Sequence, residues 1–339
     1  MKAALLTKFG APLELVEVPD PQPGPDDVVV RVMACGIDGT DLKLLDGFGY
    51  TPELPFIMGH EPAGVVEQVG RNVRDFAPGD RVIPYIFLIP PDSPWYRSPR
   101  EQLCPDMVGV IGVKHVPGGY AERLCVAVRQ LVRIPDSVPW HDAAVLCDAG
   151  LTAWHAVGRA RLQPGETVLV IGVGGVGSFV VQFAKIAGAT VVAIERSPGK
   201  CRWTMELGAD AVLVADHPDN ADALRRYAGV GFDCVIDVVG SAESLATGVA
   251  SLKPGGRLIV VGYTPDEYRL SAKQFAQNEF ELIGSRGGSF ADLREVVQAV
   301  ASGQIQSIVT QRRPLREVNE ALAELKSGRV QGRLVLDCQ

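Results

Sequence analysis

The stretch that most constrains the fold is VLVIGVGGVGSFVVQFAK, residues 168–185. A continuous Val/Leu/Ile run ends in four closely spaced glycines, and an apolar segment of helical length follows. This is a strand, a tight turn and a helix, the opening of a βαβ unit. Gly172 permits the sharp turn, Gly174 lets backbone approach a pyrophosphate, and Gly177 lets the helix pack close to the sheet. Gly175 and Val176 lie at the start of the helix, whose free N–H groups face an anion. Glu195 closes the next apolar run, 18 residues past Gly177. A carboxylate there bonds ribose hydroxyls and repels a 2′-phosphate, which favours NAD. Its neighbour Arg196 is suited to meet a 2′-phosphate and leaves NADP open. A glycine-rich turn also packs βαβ units that hold no ligand; the strand, the helix and the placed carboxylate together set this one apart.

The same texture continues. From about residue 163, ETVLVIGV, TVVAIE, AVLV, FDCVIDVVG, GRLIVVGY and FELIGS alternate with helix-length segments. Six apolar runs separated by helices predict a parallel sheet covered on both faces, in a doubly wound dinucleotide fold. Residues 1–150 read differently. DDVVVRVMAC, AGVVEQVG and GDRVIPYIF are short β-branched runs bounded by Gly, Pro and Asp, and a Pro-rich loop, 89–103, interrupts them. A helical stretch, SFADLREVVQAVASG, and a tail ending GRLVLD complete the chain. The expected division is therefore 1–150, 151–287 and 288–339.

A net charge of −7 argues against nucleic acid or an anionic membrane as partner. No apolar window is long enough to span a bilayer, and the N-terminus carries Glu14 and Glu17 too early for a signal peptide. Seven scattered cysteines without a CxxC pair suggest reduced thiols and a cytoplasmic location.

Residues 33–47, MACGIDGTDLKLLDG, hold Cys35, Asp38, Thr40 and Asp41 in a glycine-rich, loop-like setting, which suits either a metal site or a polar turn. Two further clusters matter: GHE at 59–61, with Gly64 and then GDRV at 79–82, and LCDAG at 146–150. Together with GVGGVG and GRLVLD, the set resembles the zinc-dependent medium-chain dehydrogenase/reductase family over the whole chain. The resemblance implies a GroES-like β-barrel catalytic domain, a Rossmann domain, an active site in the cleft between them, and reversible hydride transfer between an alcohol and NAD(P).

It also implies roles for single residues. The first ligand position falls on Asp38, where most members carry cysteine; Cys35 is the neighbouring, non-ligating thiol. His60 matches the histidine ligand. Glu61 matches the adjacent carboxylate, a ligand or a supporting group, and Asp148 the third ligand position, with Cys147 out of register. Asp38 and Asp148 keep the two negative charges that two thiolates would supply, but as harder oxygen donors they suit Mn²⁺, Co²⁺ or Fe²⁺ better than a thiolate site does. Thr40 takes the place of the relay hydroxyl, and Lys43 a position that is a relay histidine in some members. Asp41 matches the carboxylate that orients His60, and Arg333 an arginine that pairs with that aspartate. One catalytic zinc is expected. The four close cysteines of the family's structural zinc are missing, Cys104 and Cys125 alone lying near the lobe, so no structural zinc is expected.

The expected substrates are a secondary alcohol or polyol, or the matching ketone, with NAD. Oxidation of an aldose at C1 is the close alternative, a metal-independent NADPH enone or quinone reductase a more distant one, and a nucleotide-binding protein without turnover the non-enzymatic one. The family commonly forms homodimers or homotetramers; the expected pairing edge is the strand run 256–263. His155, in an expected helix near the domain junction, reads as packed or capping rather than ligating; His115, His141 and His217 sit in loop-like settings with no partner spacing, and Trp95 and Tyr96 suit either a substrate wall or a subunit contact.

Overall fold

The run DVVVRVMACGI forms the strand Asp27–Ile37, the organiser of one of two units in the computed structural model. The structure describes residues 1–215, 224 and 226–339. One unit comprises Met1–Leu151 and Gly288–Gln339, the other Thr152–Gly287.

In the first unit Asp27–Ile37 is almost continuously buried because it is paired along both edges. Glu61–Val69 runs antiparallel along one edge, while Arg123–Ala127 and the C-terminal strand Arg333–Asp337 share the other. The sheet continues outward through Arg81–Pro84 and Leu131–Arg133 on one side and Val309–Pro314 on the other. Its core gathers Ile37, Met58, Tyr120 and Leu334. The register pairs Gly36 with Glu61, so the end of one strand and the start of its neighbour bring Asp38 and His60 to the same rim.

The second unit is a six-stranded parallel sheet. Across it the strands run Ala211–Val214, Thr190–Glu195, Thr167–Ile171, Phe232–Asp237, Leu252–Val260 and Glu281–Gly284. In chain order this is 3-2-1-4-5-6, the doubly wound arrangement expected from the alternating runs. The expected pairing edge needs correction. Leu252–Val260 is interior, bonded to Phe232–Asp237 and to Glu281–Gly284. The last run, FELIGS, adds the true edge outside it, with Leu282 46% exposed.

The Pro-rich loop is a series of turns with one 3₁₀ segment, Glu101–Leu103. Among the described residues no helix is long and apolar enough to cross a membrane. His217 lies outside the described residues.

Candidate active site and metal centre

The segment after Asp27–Ile37, expected as a loop, is a short helix, Gly39–Leu45, and Asp38 is its N-cap. Asp38 Oδ1 accepts the N–H groups of Thr40 at 2.7 Å and Asp41 at 3.3 Å, and Asp41 Oδ2 accepts the Asp38 N–H at 2.9 Å. This reciprocal capping box was legible as D-x-x-D, with aspartate where glutamate is commoner. It fixes both carboxylates. Asp41 Oδ2 also accepts the Tyr120 hydroxyl at 2.8 Å, while its Oδ1 lies 3.4 Å from His60 Nδ1.

His60 precedes the strand Glu61–Val69 and is 2% exposed. Its Nε2 lies 3.5 Å from Asp38 Oδ1 and 3.6 Å from Asp148 Oδ2. Asp148 belongs to a wide π-type turn, Leu146–Gly150, that interrupts the helical run from Trp140 to Ala160. The Ala149 N–H is drawn off to Glu61 Oε1 at 3.0 Å, and Gly150 N–H closes the wider ring onto Val145 O at 3.0 Å. Such turns recur at functional sites because they re-aim one side chain without ending the helix.

Asp38, His60 and Asp148 thus present ligand atoms within 4.8 Å of one another. Among the described residues, neither His60 nitrogen has a hydrogen-bond partner, although both are buried. A buried imidazole facing carboxylates at 3.4–3.6 Å, too far for good hydrogen bonds, is what a metal would fill. One imidazole and two carboxylates form a donor set that zinc accepts. Burial alone would depress the His60 pKa, but the facing carboxylates of Asp38 and Asp41 raise it well above the usual histidine value. Burial acts to raise Asp38, yet His60, Arg333 and the Thr40 N–H hold it well below the ordinary carboxylate range.

Glu61 stands apart from the three converging groups. Its Oε1 is taken by Ala149, and its Oε2 pairs with Arg333. Burial pushes Glu61 up to about 7 against the pull of that guanidinium. Gly36 is required opposite it, because a Cβ there would overlap the Glu61 carboxylate. The expected Arg333–Asp41 pair is not formed. Arg333 meets Glu61 and lies 3.9 Å from Asp38, because Asp41 is already engaged by Tyr120 and the Asp38 N–H.

The two nearby thiols point elsewhere: Cys35 Sγ to Gly36 O and Cys147 Sγ to Pro62 O. Burial raises both thiol pKa values well above normal. Thr40 is half-buried, with Oγ1 3.5 Å from Asp38 Oδ2. Lys43, one turn on, is half-buried; desolvation lowers its pKa while Asp38 opposes the shift. His155 is half-buried in the helix Leu151–Ala160. His115 is exposed, with φ +61°. His141 has a partner that spacing hid: its Nε2 meets Asp337 Oδ1 at 2.5 Å, 196 residues along the chain.

In the second unit, Gly172 has φ +88°, and a Cβ on Gly177 would overlap the Gly172 carbonyl oxygen. Gly174 caps the helix Gly175–Ile186, and a Cβ there would meet open space. Gly175 and Val176 form the first turn of that helix. Glu195 is buried at the end of Thr190–Glu195, and its two oxygens accept the N–H groups of Val173 at 3.0 Å and Ser197 at 2.9 Å. It therefore braces the glycine turn as well as lying beside it. Arg196 is exposed.

Residues 24–136 match the family described as alcohol dehydrogenase GroES-like domain, and residues 175–302 match zinc-binding dehydrogenase. A thermostable alcohol dehydrogenase from Pyrobaculum aerophilum, solved with cobalt and zinc bound, is 35% identical with a TM-score of 0.91, and 99% of each chain is covered. A D-arabinose 1-dehydrogenase (NADP⁺) from Saccharolobus solfataricus is 32% identical over 99% of this chain and 97% of its own. An NAD-dependent alcohol dehydrogenase from Sulfurisphaera tokodaii is 30% identical over 99% of both.

Proposed function

The chain belongs to the zinc-type medium-chain dehydrogenase/reductase family, and we propose that it oxidises a secondary alcohol or polyol, or reduces the matching ketone, with NAD at a centre held by Asp38, His60 and Asp148. The observation that carries this reading is the convergence of two carboxylates on a buried imidazole whose ring nitrogens lack hydrogen-bond partners. When bound, a divalent metal supplies a Lewis acid that makes the alcohol proton acidic near neutral pH, and the nicotinamide supplies the hydride acceptor.

The chain's own residues orient and move the proton. Asp41 faces His60 Nδ1, which leaves Nε2 directed at Asp38 and Asp148. The Thr40 hydroxyl is the group that would take up the alcohol's O–H proton as it passes its own proton on. Lys43 lies three residues on along the helix Gly39–Leu45, which makes its amine the next group along the helix toward which Thr40 could pass the proton. Glu61, tied to Arg333 and Ala149, acts beside the ligands and holds the turn that carries Asp148.

In the second unit, the N-terminus of Gly175–Ile186 receives the pyrophosphate. Each Glu195 oxygen keeps a lone pair for ribose hydroxyls, and its charge disfavours a 2′-phosphate. The similarity to a D-arabinose dehydrogenase makes an aldose the second candidate substrate. Seven free cysteines favour the cytoplasm. Pairing of copies along the exposed edge Glu281–Gly284 would give a homodimer or homotetramer.

The test is metal content of protein purified without added metal, alongside Asp38→Ala and Asp148→Ala, with turnover measured on alcohols, polyols and aldoses with both nucleotides. About one metal per chain, lost together with turnover in both variants, is expected. A parent that takes up no zinc, manganese or cobalt, or that keeps full activity after exhaustive chelation, overturns the metal-assisted reading and directs the search to NADPH-linked enone reduction.

A further inference from the structure

Glu101 is a carboxylate only 1% exposed, set in the Pro-rich lobe far along the chain from the metal ligands. Its two oxygens meet backbone: Oε2 accepts the Arg97 N–H at 3.0 Å, and Oε1 accepts the Phe290 N–H at 2.7 Å. Arg97 sits at φ +58°, a conformation that bulky residues avoid unless the surroundings impose it. Its guanidinium lies 3.4 Å above the Phe290 ring and donates to Arg129 O at 2.6 Å. Glu101 is thus a clip with one end in the lobe and the other on the first residue of the helix Phe290–Ala301. A helix leaves its first N–H groups without partners, and a carboxylate suits that end.

The same helix backs the turn that carries Asp148. Its Leu293, Val296 and Val297 are buried, and a Cβ on Gly150 would come within 3.1 Å of Val296 Cγ1. Gly288, two residues before Phe290, leaves no space for a Cβ against Leu151. The path from Glu101 through Phe290 and Val296 to residues 146–151 is therefore packed throughout, within one unit.

We propose that Glu101 is a positioning residue for the metal centre. By pinning the start of Phe290–Ala301 it holds the Leu146–Gly150 turn in the shape that aims Asp148 at His60. The proposal rests on the reading of Asp148 as a ligand, but its mechanical part stands without metal.

Glu101→Gln keeps the shape and one carbonyl oxygen, leaving one of the two N–H groups unmet. In metal-free protein, amide hydrogen exchange at 146–151 and 290–293 should quicken by about tenfold, with residues 232–237 of the other unit unchanged. In cobalt-loaded protein the visible absorption envelope should shift, while an Ile134→Val variant, which loosens the same unit's core elsewhere, leaves both readouts at parental values. Faster exchange confined to 89–104, with 146–151 and the cobalt spectrum unchanged, overturns the proposal and leaves Glu101 as a brace for the lobe alone. A parent that takes up no cobalt sinks the metal reading instead, and the exchange data still decide the mechanical link. If Glu101→Gln does not fold, Glu101→Asp, too short to span both N–H groups, gives the same measurement.

Discussion

Arg333 and Glu61 form an ion pair almost sealed from solvent, with side chains 5% and 0% exposed. The arginine comes from the last strand, Arg333–Asp337, and the glutamate from the first residue of Glu61–Val69. The C-terminal tail is thereby locked beside Asp38. Removing one member of a buried pair strands the other charge, which costs about 3–5 kcal/mol. Arg333→Met should lower stability by that order in urea unfolding, because without the guanidinium the buried Glu61 must either stay charged and unpaired or take up a proton. Adding Glu61→Gln should recover a substantial part, because it removes the stranded charge. Equal stability of the single and double variants would show that the arginine contributes by packing rather than by charge.

The oxygen-rich donor set makes a different prediction. Asp38→Cys places a thiolate where Asp38 stands and should tighten zinc by about tenfold or more, roughly 1.4 kcal/mol, in competition with a chelator. The same change removes the N-cap of Gly39–Leu45 and should cost about 1 kcal/mol of folding stability. Tighter zinc in a less stable protein is a paired signature. Unchanged zinc affinity would show that oxygen donors do not loosen this site.

The nucleotide unit is local grammar: each strand and helix is a contiguous run, so order and glycine roles follow from the chain. Asp38, His60 and Asp148 are proposed from the resemblance, and only folding shows that their side chains converge. The partner of Arg333 was misassigned because Asp41 and Glu61 both lie near, and the choice depends on Tyr120 having already engaged Asp41. The edge strand was misplaced because two adjacent apolar runs, 256–263 and 280–285, look alike until the register adds the second outside the first. Glu101 gave no signal at all. It is one acidic residue in a Pro-rich stretch, and its burial depends on a contact 189 residues away.

Glu195 separates two contributions that charge alone confuses. Glu195→Gln keeps one carbonyl acceptor, so one of the Val173 and Ser197 N–H groups stays met, while it removes the negative charge proposed to face a 2′-phosphate. The NADP/NAD ratio of kcat/KM should rise by about tenfold, roughly 1.4 kcal/mol of discrimination. Glu195→Ala also releases the Val173 and Ser197 N–H groups and should weaken both nucleotides. A ratio unmoved in Glu195→Gln would place the discrimination elsewhere, with Arg196 the first residue to test.

Gly177→Ala tests the glycine turn in isolation from the metal ligands. The added methyl overlaps the Gly172 carbonyl oxygen, so the first turn of Gly175–Ile186 must move from its strand. NADH binding, followed by fluorescence, should weaken by about tenfold or more, while metal content stays parental because the three proposed ligands lie in the other unit. Loss of metal together with nucleotide would mean that the substitution unfolds the protein rather than reshaping one turn.

Acid stability has an identifiable contributor in Asp233. Its Oδ2 accepts the Thr167 N–H at 2.9 Å and the Thr167 hydroxyl at 2.8 Å, and Lys253 pairs with Oδ1. Burial acts to raise this carboxyl, but Lys253 and Thr167 win and hold it below the ordinary aspartate value. A group whose pKa is lower folded than unfolded contributes stability above the unfolded value, about 3.9, and loses it as pH falls through the folded one. Asp233→Asn should therefore be less stable than the parent by about 1–2 kcal/mol at neutral pH. That gap should stay level down to about pH 5 and narrow below about pH 4, as the parent's carboxylate takes up its proton. Chemical unfolding of both proteins at pH 7, 5 and 3 measures the gap directly. A gap that persists unchanged at pH 3 would assign the contribution to hydrogen-bond shape rather than to charge, because the neutral acid and the amide would then differ as much as the anion and the amide do.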